Sequence, residues 1–127
     1  MPDDNRQLTK QIVEMFDNGD VSNVTLLVAA DYVDHQGLSG VQIIGPEGFS
    51  RVVTTARASS RELHVRIDDL IAEKDKVAVR LHWQGLVNST GANPVAKAFD
   101  RETIDIIRFV NGQMIEHWGT ELWVSLS

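Results

Sequence analysis

The sequence predicts one α+β domain in which helices precede an antiparallel sheet. In the first half of the chain, apolar residues recur every three or four positions, as they do along one face of a helix. From Arg61 onward they alternate with polar residues, which is the period of a half-buried strand. Turn sequences such as Asn111-Gly112 separate the alternating segments and favour consecutive antiparallel strands. The 127 residues suit a single domain, residues 1–127, without internal repeat.

Three helices are predicted in the first half of the chain. The first begins at residues 3–4, where two aspartates can cap it, and ends at the Asn-Gly-Asp sequence of residues 18–20. A short second helix covers residues 22–28, and residues 31–35 form a brief extended segment after it. The third helix starts at residues 45–47, because proline is tolerated in a first helical turn.

Two hairpins are predicted in the second half. Residues 61–68 and 77–83 alternate apolar with polar side chains on either side of a charged turn. Residues 99–109 and 114–124 form the second pair of strands, around the Asn-Gly turn. Helices followed by such a meander are typical of a fold with the helices packed on one face of the sheet.

The composition excludes several kinds of partner. The net charge is −6 and the 12 Lys and Arg residues are scattered, so there is no basic surface for nucleic acid. No stretch approaches the roughly 18 apolar residues of a membrane span, and the polar N-terminus lacks the apolar run of a secretory signal. The chain has no cysteine, which excludes disulfides and thiolate chemistry and is compatible with a reducing compartment. We therefore expect a cytoplasmic protein that binds neither nucleic acid nor membrane.

Motifs for common cofactors and nucleophiles are also missing from the sequence. The four histidines are far apart and lack metal-binding spacing, so no metal site is expected. The glycines at positions 37, 40, 45 and 48 match neither phosphate-binding pattern, and no G-x-S-x-G nucleophile motif occurs. Chemistry without a cofactor, or the binding of a small and largely apolar organic molecule, is what remains.

The C-terminal hairpin carries the most specific pattern in the chain. It reads Ile104-Asp105-Ile106-Ile107-Arg108-Phe109, then Asn111-Gly112, then Met114-Ile115-Glu116-His117-Trp118. Three earlier segments agree with it, namely Tyr32-Val33-Asp34-His35, Gly45-Pro46-Glu47-Gly48-Phe49 and Asp75-Lys76-Val77-Ala78-Val79-Arg80. In this order the segments resemble the SnoaL-like polyketide cyclase family, within the superfamily of nuclear transport factor 2, ketosteroid isomerase and limonene epoxide hydrolase. The resemblance implies a cone-shaped, curved antiparallel sheet over three N-terminal helices, one internal cavity, and a homodimer through the outer sheet face.

Similarity to this superfamily also implies roles for particular residues. Its members catalyse aldol cyclisations, isomerisations and epoxide openings in the cavity, while many others catalyse nothing. The counterpart of Asp105 in ketosteroid isomerase is a neutral acid that donates a hydrogen bond to an oxyanion, which implies the same role here. After the matching Glu116-His117-Trp118 sequence the family commonly has an aspartate, its acid/base candidate, but this chain has Gly119.

The register of the last hairpin decides which side chains share a face of the sheet. A two-residue Asn-Gly turn would pair Asp105 with Trp118 and place Asp105 and His117 on opposite faces. A three-residue turn over residues 110–112 with a bulge would pair Asp105 with His117 and place both on one face with Glu121. The Asn-Gly sequence favours the first turn, whereas the resemblance favours the second, which we adopt.

The candidate catalytic residues are Asp105, His117, Glu121 and His35. Each has a structural alternative. Asp105 and His117 can form a mere ion pair between strands, Glu121 can be a rim residue paired with Arg101, and His35 can be a surface histidine. The candidate ligand contacts are His82, Tyr32, Phe49, Ile107, Phe109 and Trp83. His82 alternates with apolar residues and is a weak candidate, and tryptophans such as Trp83, Trp118 and Trp123 are more often core or interface residues.

Three functions agree with these patterns. The first is cofactor-free acid/base catalysis on a polyketide-like or other carbonyl substrate, with Asp105 as oxyanion donor or acid and His117, Glu121 or His35 moving the proton. The second is a non-catalytic binding or carrier module, which is favoured by Gly119. The third is a dimerisation scaffold whose interior is filled by side chains.

Overall fold

The computed structural model of the protein describes residues 2–38, 41–88 and 95–121. These residues form three helices and six strands. In chain order the elements are α1 Pro2–Asn18, α2 Val24–Leu27, β1 Val28–Leu38, β2 Val41–Ile44, α3 Gly45–Ala58, β3 Arg61–Glu73, β4 Lys76–Asn88, β5 Ala96–Val110 and β6 Gln113–Glu121. None of the helices within these ranges is long and apolar enough to cross a membrane.

The six strands form one curved sheet in the order β2-β1-β6-β5-β4-β3. β1 runs parallel to β6, and all other neighbouring pairs are antiparallel. The predicted α+β class and both predicted hairpins are confirmed. The prediction that all helices precede the sheet is wrong, because β1 and β2 lie before α3 in the chain. The extended segment predicted at residues 31–35 is the middle of the 11-residue strand β1.

The helices α1 and α3 cover the inner face of this sheet. Ile12, Val13 and Met15 form the buried side of α1, which contacts β3 and β4. Gly19 ends α1 in the left-handed region at φ +77°, where its N–H donates to the Met15 carbonyl at 2.8 Å. The phenyl ring of Phe49 on α3 then makes edge-to-face contacts within the core. The helices and the inner face of the sheet therefore share one hydrophobic core.

The last hairpin combines a two-residue turn with a β-bulge. Asn111 and Gly112 have φ angles of +52° and +78°, as a type I′ turn requires, and the residues on either side of them pair with each other. The register then shifts at Ile115, which is an extra residue in β6 between the pairs Phe109↔Met114 and Arg108↔Glu116. Beyond this bulge the pairing is shifted by one residue.

The predicted three-residue turn is therefore wrong, and so is the predicted pairing of Asp105 with His117. Asp105 pairs with Gly119, and His117 pairs with Ile107. The two side chains nevertheless meet on the inner face, because one inserted residue reverses the faces of all residues after it. The bulge therefore places Asp105 and His117 on one face of the sheet, which is the result that the three-residue turn was predicted to give.

Candidate functional site

A cavity of about 370 Å³ lies between the helices and the inner face of the sheet. Most of its wall is apolar and includes Ile12, Val13, Phe16, Phe49, Val52, Leu63, Val79, Leu81, Trp83 and Ile107. A polar band crosses the strands β1, β5 and β6 and consists of Asp34, Gln36, Thr103, Asp105 and His117. Along β5 the side chains change from buried Asp105 and Thr103 to half-buried Arg101, so the cavity opens in that direction.

His117 lies between two buried carboxylates in this polar band. Its Nδ1 is 2.9 Å from Asp34 Oδ1, and its Nε2 is 2.7 Å from Asp105 Oδ1. Asp34 and His117 are neighbours because β1 and β6 pair at these two positions. The second oxygen of Asp105 accepts a hydrogen bond from Thr103 Oγ1 at 2.9 Å, and Trp83 Nε1 donates to the same hydroxyl at 2.8 Å. Four strands thus contribute to one hydrogen-bonded cluster.

The two carboxylates keep His117 protonated. Burial by itself lowers the pKa of His117, but the hydrogen bonds and negative charges of Asp105 and Asp34 outweigh it and raise the pKa to about 9. At neutral pH the imidazolium therefore donates to both carboxylates. Asp105 accepts hydrogen bonds from His117 and Thr103, so it is not the neutral hydrogen-bond donor that the resemblance implies.

The Asp34–His117–Asp105 cluster offers proton transfer rather than metal ligation. Both ring nitrogens of His117 already bond to carboxylates. Within the described part of the chain, no group of three His, Cys, Asp or Glu side chains has the geometry to hold a metal ion. A proton can pass between the imidazolium and either carboxylate along hydrogen bonds that already exist.

Gly119 makes room for the carboxylate of Asp105 and for Gln36. A Cβ atom at Gly119 would lie 2.7 Å from Asp105 Oδ1 and closer still to Gln36 Oε1. The glycine therefore occupies the position in β6 where the resemblance places an acid, and the Asp105 and Gln36 side chains use the space. This is a physical reason for the departure from the family pattern.

The predicted ligand contacts divide between the cavity wall and the core. Phe49, Ile107 and Trp83 line the cavity. Tyr32 and Phe109 are buried in the core but are not among the described residues that line the cavity, which corrects those two predictions. Tyr32 packs edge-to-face on Phe49 with ring centroids 6.0 Å apart, and burial with the nearby charge of Asp34 raises its pKa.

His35 does not line the cavity, contrary to the prediction. Neighbouring residues of a strand point to opposite faces, and Asp34, which precedes His35 in β1, faces inward. His35 therefore lies on the outer face, where its ring stacks on Trp118 at 5.0 Å and its Nε2 is 2.8 Å from Glu116 Oε2. This hydrogen bond and that of Arg108 lower the pKa of Glu116.

His82 also lies on the outer face, so its prediction as a ligand contact is wrong. The apolar set of β4, including Leu81 and Trp83, faces the cavity, and His82 alternates with it. The imidazole is instead within ion-pair distance of Asp68 and Asp100. The simple alternation rule was sufficient for this strand.

Glu121 is the last residue that the structure describes, and Trp123 lies beyond it. Glu121 is the last residue of β6, and its backbone pairs with Thr103 rather than with Arg101 as predicted, because of the bulge. The side chain of Glu121 and the whole of Trp123 lie outside the described residues. The role predicted for Glu121 stays a prediction.

Several polar residues of the cavity were missed as candidates, among them Asp34, Gln36, Thr103 and Arg101. Thr103 and Arg101 lie two and four residues before Asp105 on the same strand, so the alternation that placed Asp105 inside also predicts them. For Asp34 and Gln36 the alternation in β1 gives two equivalent faces, and the sequence contains no signal that selects one of them. The inward face is selected by the pairing of β1 with β6.

A curved sheet over helices with ionisable side chains in an apolar cavity defines a protein of the nuclear transport factor 2-like class. The sequence model of the SnoaL-like polyketide cyclase family matches residues 6–121, and the chain belongs to this family.

Known relatives agree in sequence and in structure. The chain is 27% identical over 116 residues to the aklanonic acid methyl ester cyclase DnrD of Streptomyces peucetius, covering 87% of this chain and 79% of DnrD. TsrD from Streptomyces laurentii has a similar structure, with a TM-score of 0.79, 21% identity, and coverage of 94% of this chain and 89% of TsrD. IdmH from Streptomyces antibioticus gives a TM-score of 0.78 at 23% identity, covering 91% of this chain and 89% of IdmH.

Proposed function

We propose that the protein catalyses a cofactor-independent, acid/base cyclisation of a polyketide-like carbonyl compound. The observation that carries this proposal is the Asp34–His117–Asp105 cluster on the wall of an otherwise apolar cavity. DnrD, a relative of this protein, is an aklanonic acid methyl ester cyclase, and a methyl ester is a carbonyl compound. An ionisable cluster in an apolar cavity is the arrangement expected of an active site.

The cluster can supply both proton transfers of an intramolecular aldol reaction. The Asp105 carboxylate removes a proton from the carbon next to one carbonyl, and the resulting carbanion attacks a second carbonyl to form a C–C bond. His117 gives its proton to the new alkoxide, and the proton on Asp105 then returns to the imidazole. No net proton is consumed. Asp34 acts on the imidazole and not on the substrate, so it is a positioning residue in this scheme.

The apolar wall supports a flat, largely hydrophobic substrate. Phe16, Phe49 and Trp83 contribute aromatic rings, and the rest of the wall is mainly aliphatic. Such a wall excludes water from the carbanion and strengthens the electrostatic effect of the cluster. The remaining volume of about 370 Å³ argues against the scaffold function, which requires an interior filled by side chains.

Turnover of aklanonic acid methyl ester tests the proposal. We expect Asp105→Asn and His117→Gln each to reduce kcat by about 100-fold or more, because general acid and base groups contribute at least this much. His82→Gln makes the same chemical change on the outer face and should leave kcat unchanged. Turnover that survives both inner substitutions would refute these assignments.

A carrier or ligand-binding role is the second candidate, and Gly119 favours it. The family's usual acid is replaced by a residue without a side chain, and the protons of the cluster are held in internal hydrogen bonds. In that case the wild-type protein would bind the methyl ester, as seen by a rise in Tm, without changing it chemically. Product formation that depends on Asp105 would reject the carrier role.

We also propose that two copies associate through the outer face of the sheet. Ile71, Ala78, Ile106 and Trp118 pair side by side across β3, β4, β5 and β6 and form a continuous apolar row. Ile71 and Ile106 are 62% and 41% exposed, which is unusual for two isoleucines in one row. Charged groups such as Arg108 border the row, as at the rim of an interface.

Sedimentation equilibrium tests this homodimer. Ile106→Lys should convert a dimer to a monomer because it places a charge in the centre of the row, whereas Val110→Lys, near the turn, should not. A wild-type protein that is monomeric at about 100 µM would contradict the proposal, since this concentration is far above the dissociation constants of stable dimers.

We propose the cytoplasm as the site of action, with a small apolar organic ligand and no nucleic-acid or membrane partner. The net charge of −6 and the cysteine-free composition support this. Fractionation of the source cells would test it. Recovery of the protein with membranes or with nucleic acid would count against it.

A further inference from the structure

The hydrogen-bond donors of the polar band are largely consumed within the band itself. Both nitrogens of His117 bond to Asp34 and Asp105. The Thr103 hydroxyl donates to Asp105, and the indole N–H of Trp83 donates to Thr103. A substrate carbonyl entering the cavity would therefore meet carboxylate oxygens, which cannot donate, and N–H and O–H groups that already donate to other residues of the band. It would need a hydrogen-bond donor from another side chain.

Gln36 supplies such a donor in the same band. It lies on β1 two residues after Asp34, and its side chain lines the cavity. Its backbone N–H donates to Asp34 Oδ1 at 3.0 Å, which fixes the backbone of Gln36 relative to the cluster. Its side-chain amide makes no hydrogen bond to any residue that the structure describes. Gln36 is an exposed residue, so the two N–H groups of its amide are available to a ligand beside the cluster.

The glycine in β6 permits this position of Gln36. A Cβ at Gly119 would collide with Oε1 of Gln36 and with Oδ1 of Asp105. One point in space is thus bordered by the amide oxygen of Gln36 and by the carboxylate that we assign as the base. A half-turn about the terminal torsion of Gln36 exchanges this oxygen with the NH₂ group. A substrate whose acidic carbon reaches Asp105 would bring its adjacent oxygen close to this amide.

We propose that the side-chain amide of Gln36 donates a hydrogen bond to the carbonyl oxygen next to the carbon that Asp105 deprotonates. This step rests on the proposed function and specifies how the enolate is stabilised. Negative charge moves onto that oxygen as the C–H bond breaks, so the hydrogen bond strengthens in the transition state. The substrate class is a ketone or ester with an enolisable position. Gln36 touches the reacting atoms in this scheme and is a catalytic residue.

Isotope-edited infrared spectroscopy of a bound ketone tests the role of Gln36. The probe is 2-acetylnaphthalene labelled with ¹³C at the carbonyl, which is flat, apolar and enolisable. In the wild-type protein we expect the carbonyl stretch at lower frequency than in an aprotic solvent. In Gln36→Leu it should return toward the aprotic value, and kcat for aklanonic acid methyl ester should fall about 100-fold with little change in KM.

Two further variants keep the test decisive. Gln36→Glu retains the shape of the side chain but replaces the NH₂ group with oxygen, so it should also lose the infrared shift even if Gln36→Leu fails to fold. Gln84→Leu makes the same change at an exposed glutamine of the outer face and should change neither the infrared shift nor kcat.

The outcomes separate this inference from the proposed function. If the ketone binds to the wild-type protein but its stretch is the same in Gln36→Leu and Gln36→Glu, the role of Gln36 is refuted while the cavity remains a binding site. If the wild-type protein shows neither binding nor turnover of either compound, the proposed function fails and the inference fails with it. A shift lost in both variants and retained in Gln84→Leu supports the assignment.

Discussion

Two histidines of this protein each lie between two aspartates, one on each face of the sheet. His117 on the inner face bonds to Asp34 and Asp105, whose side chains are 7% and 11% exposed. His82 on the outer face contacts Asp68 and Asp100, whose side chains are 20% and 58% exposed. The same residue types thus lie side by side in two different environments.

Burial and the surrounding charges decide what each triad can do. On the outer face Asp68 is also bonded to Arg66 and lies near Arg80, and the Arg66 hydrogen bond is the main reason that its pKa is lowered. The charge of Asp68 is therefore shared among several cations and water. On the inner face water is largely removed, so the attraction between His117 and its carboxylates is much stronger. The inner triad therefore has an electrostatic environment that holds a proton on His117 above neutral pH.

Removal of one aspartate from each triad should show the largest difference between the faces. Asp34→Ala leaves a buried imidazolium with one of its two carboxylates and should lower the free energy of unfolding by about 3 kcal/mol. Asp100→Ala on the outer face should lower it by less than about 1 kcal/mol, as is usual for exposed ion pairs. Urea denaturation at pH 7 measures both values. Equal effects would show that burial does not distinguish the two triads.

The next largest difference between the two faces should be in how stability depends on pH. The pKa of His117 is raised on folding, so its contribution is fully present below the unfolded value of 6.5 and is lost as pH rises through about 9. The loss should be on the order of 3 kcal/mol between these limits. The wild-type protein and His82→Gln should show it in urea denaturation, and His117→Gln should not. A His117→Gln protein with the wild-type pH profile would disprove the raised pKa.

A methyl group added to Gly119 should disturb the inner triad more mildly. Gly119→Ala forces Asp105 and Gln36 apart, and overpacking of this kind costs about 1–3 kcal/mol. In the Gln36→Ala background part of the collision is removed, so the two substitutions should be less than additive. A double-mutant cycle in urea measures the coupling. Strict additivity would mean that Gln36 does not occupy the space next to Gly119.

The contrast between the inner and outer faces of the sheet also shows how much of the site the sequence predicts. Alternation in β4 correctly assigns Leu81 to the inside and His82 to the outside, because an apolar set fixes the face of a strand. The family resemblance correctly brings Asp105 and His117 together. The strand register from which this was predicted is wrong, because the bulge at Ile115 leaves no strong signal in the sequence.

β1 shows why the remainder of the site was not predictable. Asp34 and His35 are adjacent polar residues, and either one could face the cavity when the strand is considered alone. The choice depends on the parallel pairing with β6, which is a contact between residues more than 80 positions apart, such as Asp34 with His117. A local pattern contains no information on such a pairing, so the resemblance placed His35 in the cavity and the structure places Asp34 there.

Replacement of one threonine on each face should give the smallest difference in the free energy of unfolding. Thr103→Val keeps the branched shape of the side chain but leaves Trp83 without its acceptor and Asp105 with one donor fewer, at a cost of about 1–2 kcal/mol. Thr120 on the outer face bonds weakly to the Ile104 carbonyl at 3.4 Å, so Thr120→Val should change stability by less than about 0.5 kcal/mol. Urea denaturation compares the pair, and Thr103→Ser, which retains the hydroxyl, should recover most of the loss. If Thr103→Val were as harmless as Thr120→Val, the hydrogen bonds from Trp83 through Thr103 to Asp105 would not stabilise the inner triad.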